Sequence, residues 1–349
     1  MDSKEINAKI QETILEIAKD SKNTEHYHTL ANLYSMDSKF DKTISTYESL
    51  LEIDSKDTLA LVNIGSLWFY NKDYRKAFSY YKKAEDIDPL NYAIFYNMGN
   101  VHAELKNFSK SLYYYNRALD LNSPVKDIYN AIARLFYDFE NYFETEVYYK
   151  MTLALDKNNV LANAGLGSLY MKLADWENAL FYYKKIDEFY PGDKEITACM
   201  ANALTLMNRK EEAFKYYEEA LKISGENYKV YISYAVSKAE FGDIDGAVEL
   251  YKKAIEETPD LPNAYTLLGN LYSDLGKYDL AQQQYDKLIQ INRRDAVAYM
   301  SKGNAYYMQN NIEKAMVAYR DAIKTAPDND EYKLVYLQIL DEYIDKKEH

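Results

Sequence analysis

The sequence predicts an all-α solenoid: nine helix-turn-helix units of 34 residues between two capping helices. Three observations predict it. Tyrosine recurs every 34 residues without a gap, at Tyr47, Tyr81, Tyr115, Tyr149, Tyr183, Tyr217, Tyr251, Tyr285 and Tyr319. Sixteen positions before each stands a small residue: Ala31, Gly65, Gly99, Ala133, Gly167, Ala201, Ala235, Gly269 or Gly303. Between these landmarks the apolar residues follow helical spacing. A fixed period of this length marks a stack of supersecondary units, each burying its apolar face against its neighbours.

The elements follow in order. Residues 1–23 hold a first helix, with Ile6, Ile10, Ile14 and Ile17 on one stripe expected to cover the first repeat. Nine units then span 24–57, 58–91, 92–125, 126–159, 160–193, 194–227, 228–261, 262–295 and 296–329. In the third, residues 93–106 form one amphipathic segment with Phe95, Met98, Gly99 and His102 on one face. Asn107 interrupts it, and residues 108–121 form the second, with Ser111, Tyr115 and Ala118 inward. Pro89, Pro191, Pro259 and Pro327 close four units, where proline ends one helix or opens the next. The small residues let helix axes approach, and the tyrosine rings are expected to fill the space between neighbouring units. A last helix in 330–349 is expected to bring Leu334, Leu337, Leu340 and Ile344 to the final repeat, with Glu331, Gln338, Asp341, Glu342 and Asp345 toward water. Polar-backed caps of this kind cover the apolar walls that a stack otherwise exposes.

Composition bounds the function. Of 349 residues 48% are hydrophobic and 28% charged, and only 11 are Gly, which excludes disorder and collagen-like or linker chains. A net charge of −13 argues against general affinity for nucleic acid or an anionic membrane. Cys199 is the single cysteine, so no intrachain disulfide can form. With no long apolar stretch and a charged N-terminus, the chain is expected to be complete, soluble and cytoplasmic.

The period and the pattern of small residue, Tyr, Ala, Tyr, Ala and Pro resemble the tetratricopeptide repeat (TPR) family. The second unit carries the pattern most fully, in Leu61, Gly65, Trp68, Tyr74, Ala77, Tyr81, Ala84 and Pro89. The resemblance implies a right-handed α-solenoid whose first helices line a concave groove through positions 2, 5, 6, 9, 12 and 13 of each unit. Departures occur at Thr43 and Leu50, at Thr145 and Thr152, and at Lys210, where looser packing is expected.

Recognisable catalytic chemistry is lacking. No HExxH, P-loop or dinucleotide-binding glycine motif occurs, and Gly165-Leu166-Gly167 falls within a helix. His26 and His28, two residues apart on a helix, diverge and do not suit a shared metal. His102 stands at an aromatic position and reads as packed core, and Cys199 as a small buried thiol. The chain is therefore expected to be no enzyme and to need no cofactor or metal.

The groove remains. Position 9 is Asn in five units: Asn32, Asn100, Asn202, Asn270 and Asn304. Position 6 adds Asn63 and Asn97, and position 5 adds Asn130. A carboxamide both donates and accepts, so such a row could pair with an extended peptide backbone, or it could bridge adjacent helices. The Lys-bearing clamp that some TPR co-chaperones use for acidic tails is absent, since position 5 has no Lys and position 6 no basic residue. The groove positions carry Glu25, Glu104, Asp127, Asp138, Glu195, Glu240 and Asp274 against Arg134, Lys172 and Lys229, with Phe69, Tyr70, Tyr96, Tyr137 and Tyr307 among them. These residues predict a protein or peptide partner, neutral to basic, held by Asn97, Asn100, Asn130, Arg134, Tyr137, Asp138, Asn202, Asn270, Asp274 and Asn304. The alternative is a self-associating array; a monomer is the first expectation. On the second helices, Lys82, Lys184 and Lys252 are expected to pair with Asp86, Glu188 and Glu256 four residues on.

Overall fold

The computed structural model describes residues 3–121 and 124–348, with side chains as far as residue 345. Met1, Asp2, Asn122, Ser123 and His349, which the predicted caps and third unit take in, lie outside the described residues. Among the described residues the structure is all-α, with twenty helices and no strand. They fall into two compact bodies, residues 1–174 and 175–349. The first holds α1 (Ser3–Lys19), α2 (Thr24–Met36), α3 (Phe40–Ile53), α4 (Thr58–Tyr70), α5 (Tyr74–Ile87), α6 (Tyr92–Glu104), α7 (Phe108–Leu119), α8 (Val125–Asp138), α9 (Tyr142–Leu155) and α10 (Val160–Lys172). The second holds α11 (Trp176–Phe189), α12 (Lys194–Leu206), α13 (Lys210–Lys222), α14 (Tyr228–Glu240), α15 (Ile244–Glu257), α16 (Pro262–Asp274), α17 (Tyr278–Ile291), α18 (Ala296–Met308), α19 (Ile312–Thr325) and α20 (Asp330–Glu348).

Helix boundaries follow local chemistry. Asp57, Asp73, Asn107, Asn159, Asp193, Asp243 and Asp295 each accept a backbone N–H of the helix they precede, satisfying a first-turn donor. Between the two helices of every unit the fifteenth residue adopts a left-handed conformation. Only Gly242 and Gly276 are glycines there; Ser38, Lys72, Lys106, Glu140, Ala174, Asn208 and Asn310 hold φ of 55–62°. The turn closes around them: the N–H of Lys72 reaches Phe69 O at 2.9 Å and that of Asp73 reaches Trp68 O at 2.9 Å. These paired bonds cap the first helix and reverse the chain.

All nine tyrosines of the 34-residue series are buried. Four of these rings lie against the glycine of their own unit, and that of Tyr149 lies against Gly165 of the next. A Cβ on Gly65, Gly99, Gly269 or Gly303 would stand 2.5–2.7 Å from the ring of Tyr81, Tyr115, Tyr285 or Tyr319. The next unit supplies the far wall: Tyr47 clusters with Ala60 and Ile64, and Tyr217 stacks on Tyr234 at 4.8 Å. The rings of Tyr81, Tyr115, Tyr285 and Tyr319 therefore sit within their own helix pair, and those of Tyr47 and Tyr217 also reach the next unit, which amends the expectation.

Other corrections concern faces and partners. In α1 the buried stripe is Ile6, Ile10 and Thr13, with Ile17 packed beside it, while Ile14 is exposed. In α20, Val335, Tyr336, Ile339 and Tyr343 pack on Ile312, Ala315 and Tyr319. Leu334, Leu337 and Ile344 face outward instead, and Glu342 turns in to accept the Tyr307 hydroxyl at 2.8 Å. The aromatic side chains fill the wall better than the leucine stripe, so the helix is rotated from the expected face. Thr43, Thr145 and Thr152 are not loose: each is 0–1% exposed and its hydroxyl bonds a carbonyl one turn back. Lys210 extends over the rings of Phe214 and Phe241. Lys82 pairs with Glu85 in place of the expected Asp86, and Lys253, beside Lys252, pairs with Glu249 one turn back.

Candidate functional site

In the first body the inward faces of α6, α8 and α10 form a cleft of about 630 Å³. Its walls include Phe69, Tyr96, Asn100, Glu104, Asp127, Asn130, Arg134, Tyr137 and Asp138, and the rings of Tyr115 and Tyr149 form part of its floor. The 34-residue period places these side chains together: equivalent positions of successive first helices stack, so residues far apart in sequence share one wall. Five of the sequence-predicted residues, Asn100, Asn130, Arg134, Tyr137 and Asp138, meet here. Asn97 is half-buried beside them and does not line the cleft.

The second body has a smaller cleft of about 390 Å³ on α12 and α14, lined by Lys194, Glu195, Ala198, Cys199, Asn202, Tyr228 and Lys229, among others. Cys199 is half-buried, and burial pushes its thiol up, so it is no ready thiolate. Asn270 and Asp274 on α16 and Asn304 on α18 are exposed and line neither cleft.

The asparagine row has a specific internal partner. The tyrosine hydroxyl of the same unit donates to the carboxamide oxygen at each of the five sites. The distances are 3.2 Å for Tyr47–Asn32, 2.8 Å for Tyr115–Asn100, 2.5 Å for Tyr217–Asn202, 2.9 Å for Tyr285–Asn270 and 2.8 Å for Tyr319–Asn304. Ser66 replaces Asn in the second unit and meets Tyr81 at 3.1 Å. Burial pushes the phenols of Tyr81 and Tyr285 up to about 12, so these hydroxyls stay protonated donors. Asn63 adds a link between units, donating Nδ2 to the Tyr47 hydroxyl at 2.9 Å. The constant spacing between each Asn and its Tyr is the sequence signal that could have disclosed this pairing. Asn130 behaves differently. Its Nδ2 donates to Asn159 at 3.1 Å, while its buried Oδ1 has no partner among the described residues.

Charge in the clefts is largely cancelled. Arg134 pairs with Glu104 at 3.2 Å, Lys229 with Glu195 at 3.0 Å, and Lys106 with Asp138 at 3.3 Å. Lys106 occupies the left-handed turn position, outside the positions counted from sequence, so the expected acidic excess is smaller in space than in the chain. The histidines have structural partners: His28 meets Asp57 at 2.8 Å, His26 lies 3.5 Å from Glu16, and His102 stacks on Tyr114. Burial lowers the His102 pKa. Among the described residues no group of three or more His, Cys, Asp or Glu is placed to hold a metal, and no helix is long and apolar enough to cross a membrane.

Comparison with known proteins agrees with this architecture. Family models described as tetratricopeptide repeats match residues 63–125, 197–228 and 266–330, and a TPR repeat model matches 239–276. Human protein O-mannosyl-transferase TMTC1 is 27% identical over 172 residues, 48% of this chain and 19% of that protein. The TPR repeat-containing protein MJ0940 of Methanocaldococcus jannaschii is 33% identical over 91 residues, 26% of this chain and 28% of that protein. The chain thus spans less than a third of the length of these relatives. Among solved structures, yeast Tom70 superposes with a TM-score of 0.56 at 14% identity, covering 99% of this chain and 93% of that one. A tetratricopeptide repeat protein from Parabacteroides merdae gives 0.56 at 16% identity, covering 71% and 98%. At these identities the structures speak to fold alone. With its unbroken 34-residue period, its helix pairs and its matched family models, the chain belongs to the tetratricopeptide repeat family.

Proposed function

We propose that the chain is a non-catalytic scaffold that holds a partner protein segment in the cleft of its first body. The TPR fold is a general protein–protein interaction scaffold. The observation that carries the reading is the convergence on one concave wall of three aromatic side chains, Phe69, Tyr96 and Tyr137, with the polar groups of Asn100 and Arg134. Accessible aromatics beside fixed polar groups are the usual anchors of a binding surface. The partner is a peptide or an extended stretch of a protein, met in the cytoplasm. Screening the full chain against an immobilised peptide library tests this, with Tyr137→Glu as the comparison. Binding that disappears in the variant, with the helical circular-dichroism spectrum retained, supports the cleft; binding indifferent to Tyr137→Glu sinks it.

A second reading, self-association, is favoured by α9. There Phe143, Val147, Met151 and Leu155 form an exposed apolar stripe. At the position of Phe143 the other units carry Asp41, Arg75, Ser109, Glu177, Glu211, Asp245, Asp279 and Glu313, and at that of Met151 they are also polar. A second copy laid antiparallel across α9 would set Val147 against Met151 and cover the apolar stripe of both copies. Light scattering distinguishes this reading: a dimer abolished by Val147→Glu supports it, and a wild-type monomer at all concentrations rejects it.

A further inference from the structure

Resting on the reading of the first body's cleft as a peptide site, we infer that the floor of this cleft takes the carboxamide side chain of a glutamine or asparagine carried by the partner. The fourth repeat tyrosine lacks the partner that its counterparts have. Five of the nine give their hydroxyl proton to the position-9 asparagine of their own unit, and Tyr81 meets Ser66 there. In the fourth unit position 9 is Arg134, whose guanidinium turns to Glu104 at 3.2 Å. Position 6 of the following unit, the place from which Asn63 reaches Tyr47, is Gly165. Tyr149 is 8% exposed and lines the cleft, and its hydroxyl has no hydrogen-bond partner among the described residues. The tip of its ring rests on Gly165, where a Cβ would stand only 2.6 Å from the hydroxyl oxygen. Gly165 lines the cleft as well, with Ala131 and Ala164, so a group entering past these small residues meets the phenol.

Burial pushes this phenol up to about 12, so at neutral pH it is a donor in want of an acceptor. Asp138 is near enough to raise it further, and only its Oδ2 is engaged by Lys106, which leaves Oδ1 to accept. A group reaching the floor therefore meets a donor and an acceptor together. A carboxamide matches both with one planar head. Its oxygen accepts from Tyr149 as that of Asn100 accepts from Tyr115, and its N–H donates to Asp138. A carboxylate has no donor and is repelled, since the lining holds Glu104, Asp127 and Asp138 against Arg134. An ammonium or guanidinium has no acceptor for the phenolic proton, and an apolar side chain would expel water from both groups without replacing it. Serine and threonine hydroxyls are too short to reach a floor this deep; the two methylenes of glutamine reach further than the one of asparagine. Phe69, Tyr96 and Tyr137 then pack the flanking residues above it.

The test is retention of the fluorescently labelled full chain on immobilised peptide pools, each with one amino acid fixed at the centre and the flanks randomised. Peptides of about eight residues suffice, since in extended form they cross three helices spaced about 9 Å apart. The glutamine pool is expected to bind about tenfold more tightly than the glutamate, lysine and leucine pools, a difference of about 1.4 kcal/mol. Tyr149→Phe keeps the ring and removes the hydroxyl, and should abolish the preference while binding through the aromatic wall persists. Arg134→Asn supplies the acceptor that five other units have and closes the site from within. It should abolish the preference without lowering the melting temperature, a combination that damage to the fold would not give. A glutamine pool held no better than the leucine pool, or a preference indifferent to Tyr149→Phe, overturns the inference and leaves the peptide site standing. No retention on any pool overturns both.

Discussion

Replacing Asn100 by Ala leaves the Tyr115 hydroxyl, on a ring 2% exposed, without the acceptor it has at 2.8 Å. An unsatisfied buried hydroxyl costs about 1–3 kcal/mol. Replacing Tyr115 by Phe removes the donor instead; the half-buried amide can turn to water in the cleft, so the loss is the net value of one hydrogen bond, about 0.5–1.5 kcal/mol. In the double variant nothing is left unpaired, so Asn100→Ala should cost close to zero once Tyr115 is Phe. The cycle should therefore show a coupling of about 1 kcal/mol or more. Because each unit of a repeat array contacts only its neighbours, the loss is local, and hydrogen exchange of the α6 and α7 amides reports it more directly than a global melt. Additive single losses, with the double variant worse than either, would show that the hydroxyl and the amide are not bound to one another.

Other expectations follow from the same geometry. Glu140, held at φ 58° without a glycine's freedom, should gain roughly 0.5–1 kcal/mol on Glu140→Gly, read as a higher melting temperature; a lower one would contradict the strained turn. Ile339→Ala should cost about 2–5 kcal/mol by opening the wall over Tyr319, whereas exposed Leu334→Ala should stay within about 0.5 kcal/mol; equal losses would restore the face expected from sequence. Burial raises Tyr81, Tyr149, Tyr251, Tyr285 and Tyr319 to about 12, so the folded chain keeps protons that the unfolded chain releases near 10.0. Their contribution is complete below that lower value and is lost as pH rises toward the higher one, so alkaline unfolding should coincide with tyrosinate absorbance. Tyrosinate appearing near its ordinary value while the helical signal persists would refute it.

The repeat, its helix pairs and the identity of its core were determined by sequence, because a period of 34 residues leaves one way to bury nine equivalent tyrosines. Tyr115 could be assigned to the core from helical phase, and Asn100 to the groove wall from the resemblance to the TPR family, without coordinates. Which partner each side chain takes was decided by tertiary structure. Leu334 and Tyr336 are two residues apart on α20, and only the shape of the α19 surface selects the tyrosine. Lys106 stands at a turn position with no place in the helical pattern, and it reaches Asp138 because successive units stack. Asn100 carries a donor and an acceptor in the sequence; its oxygen was claimed by Tyr115 once the helix pair closed, which leaves the donor facing the cleft. Phase along one helix is a local property written residue by residue, whereas partners across helices depend on distances that exist only after packing.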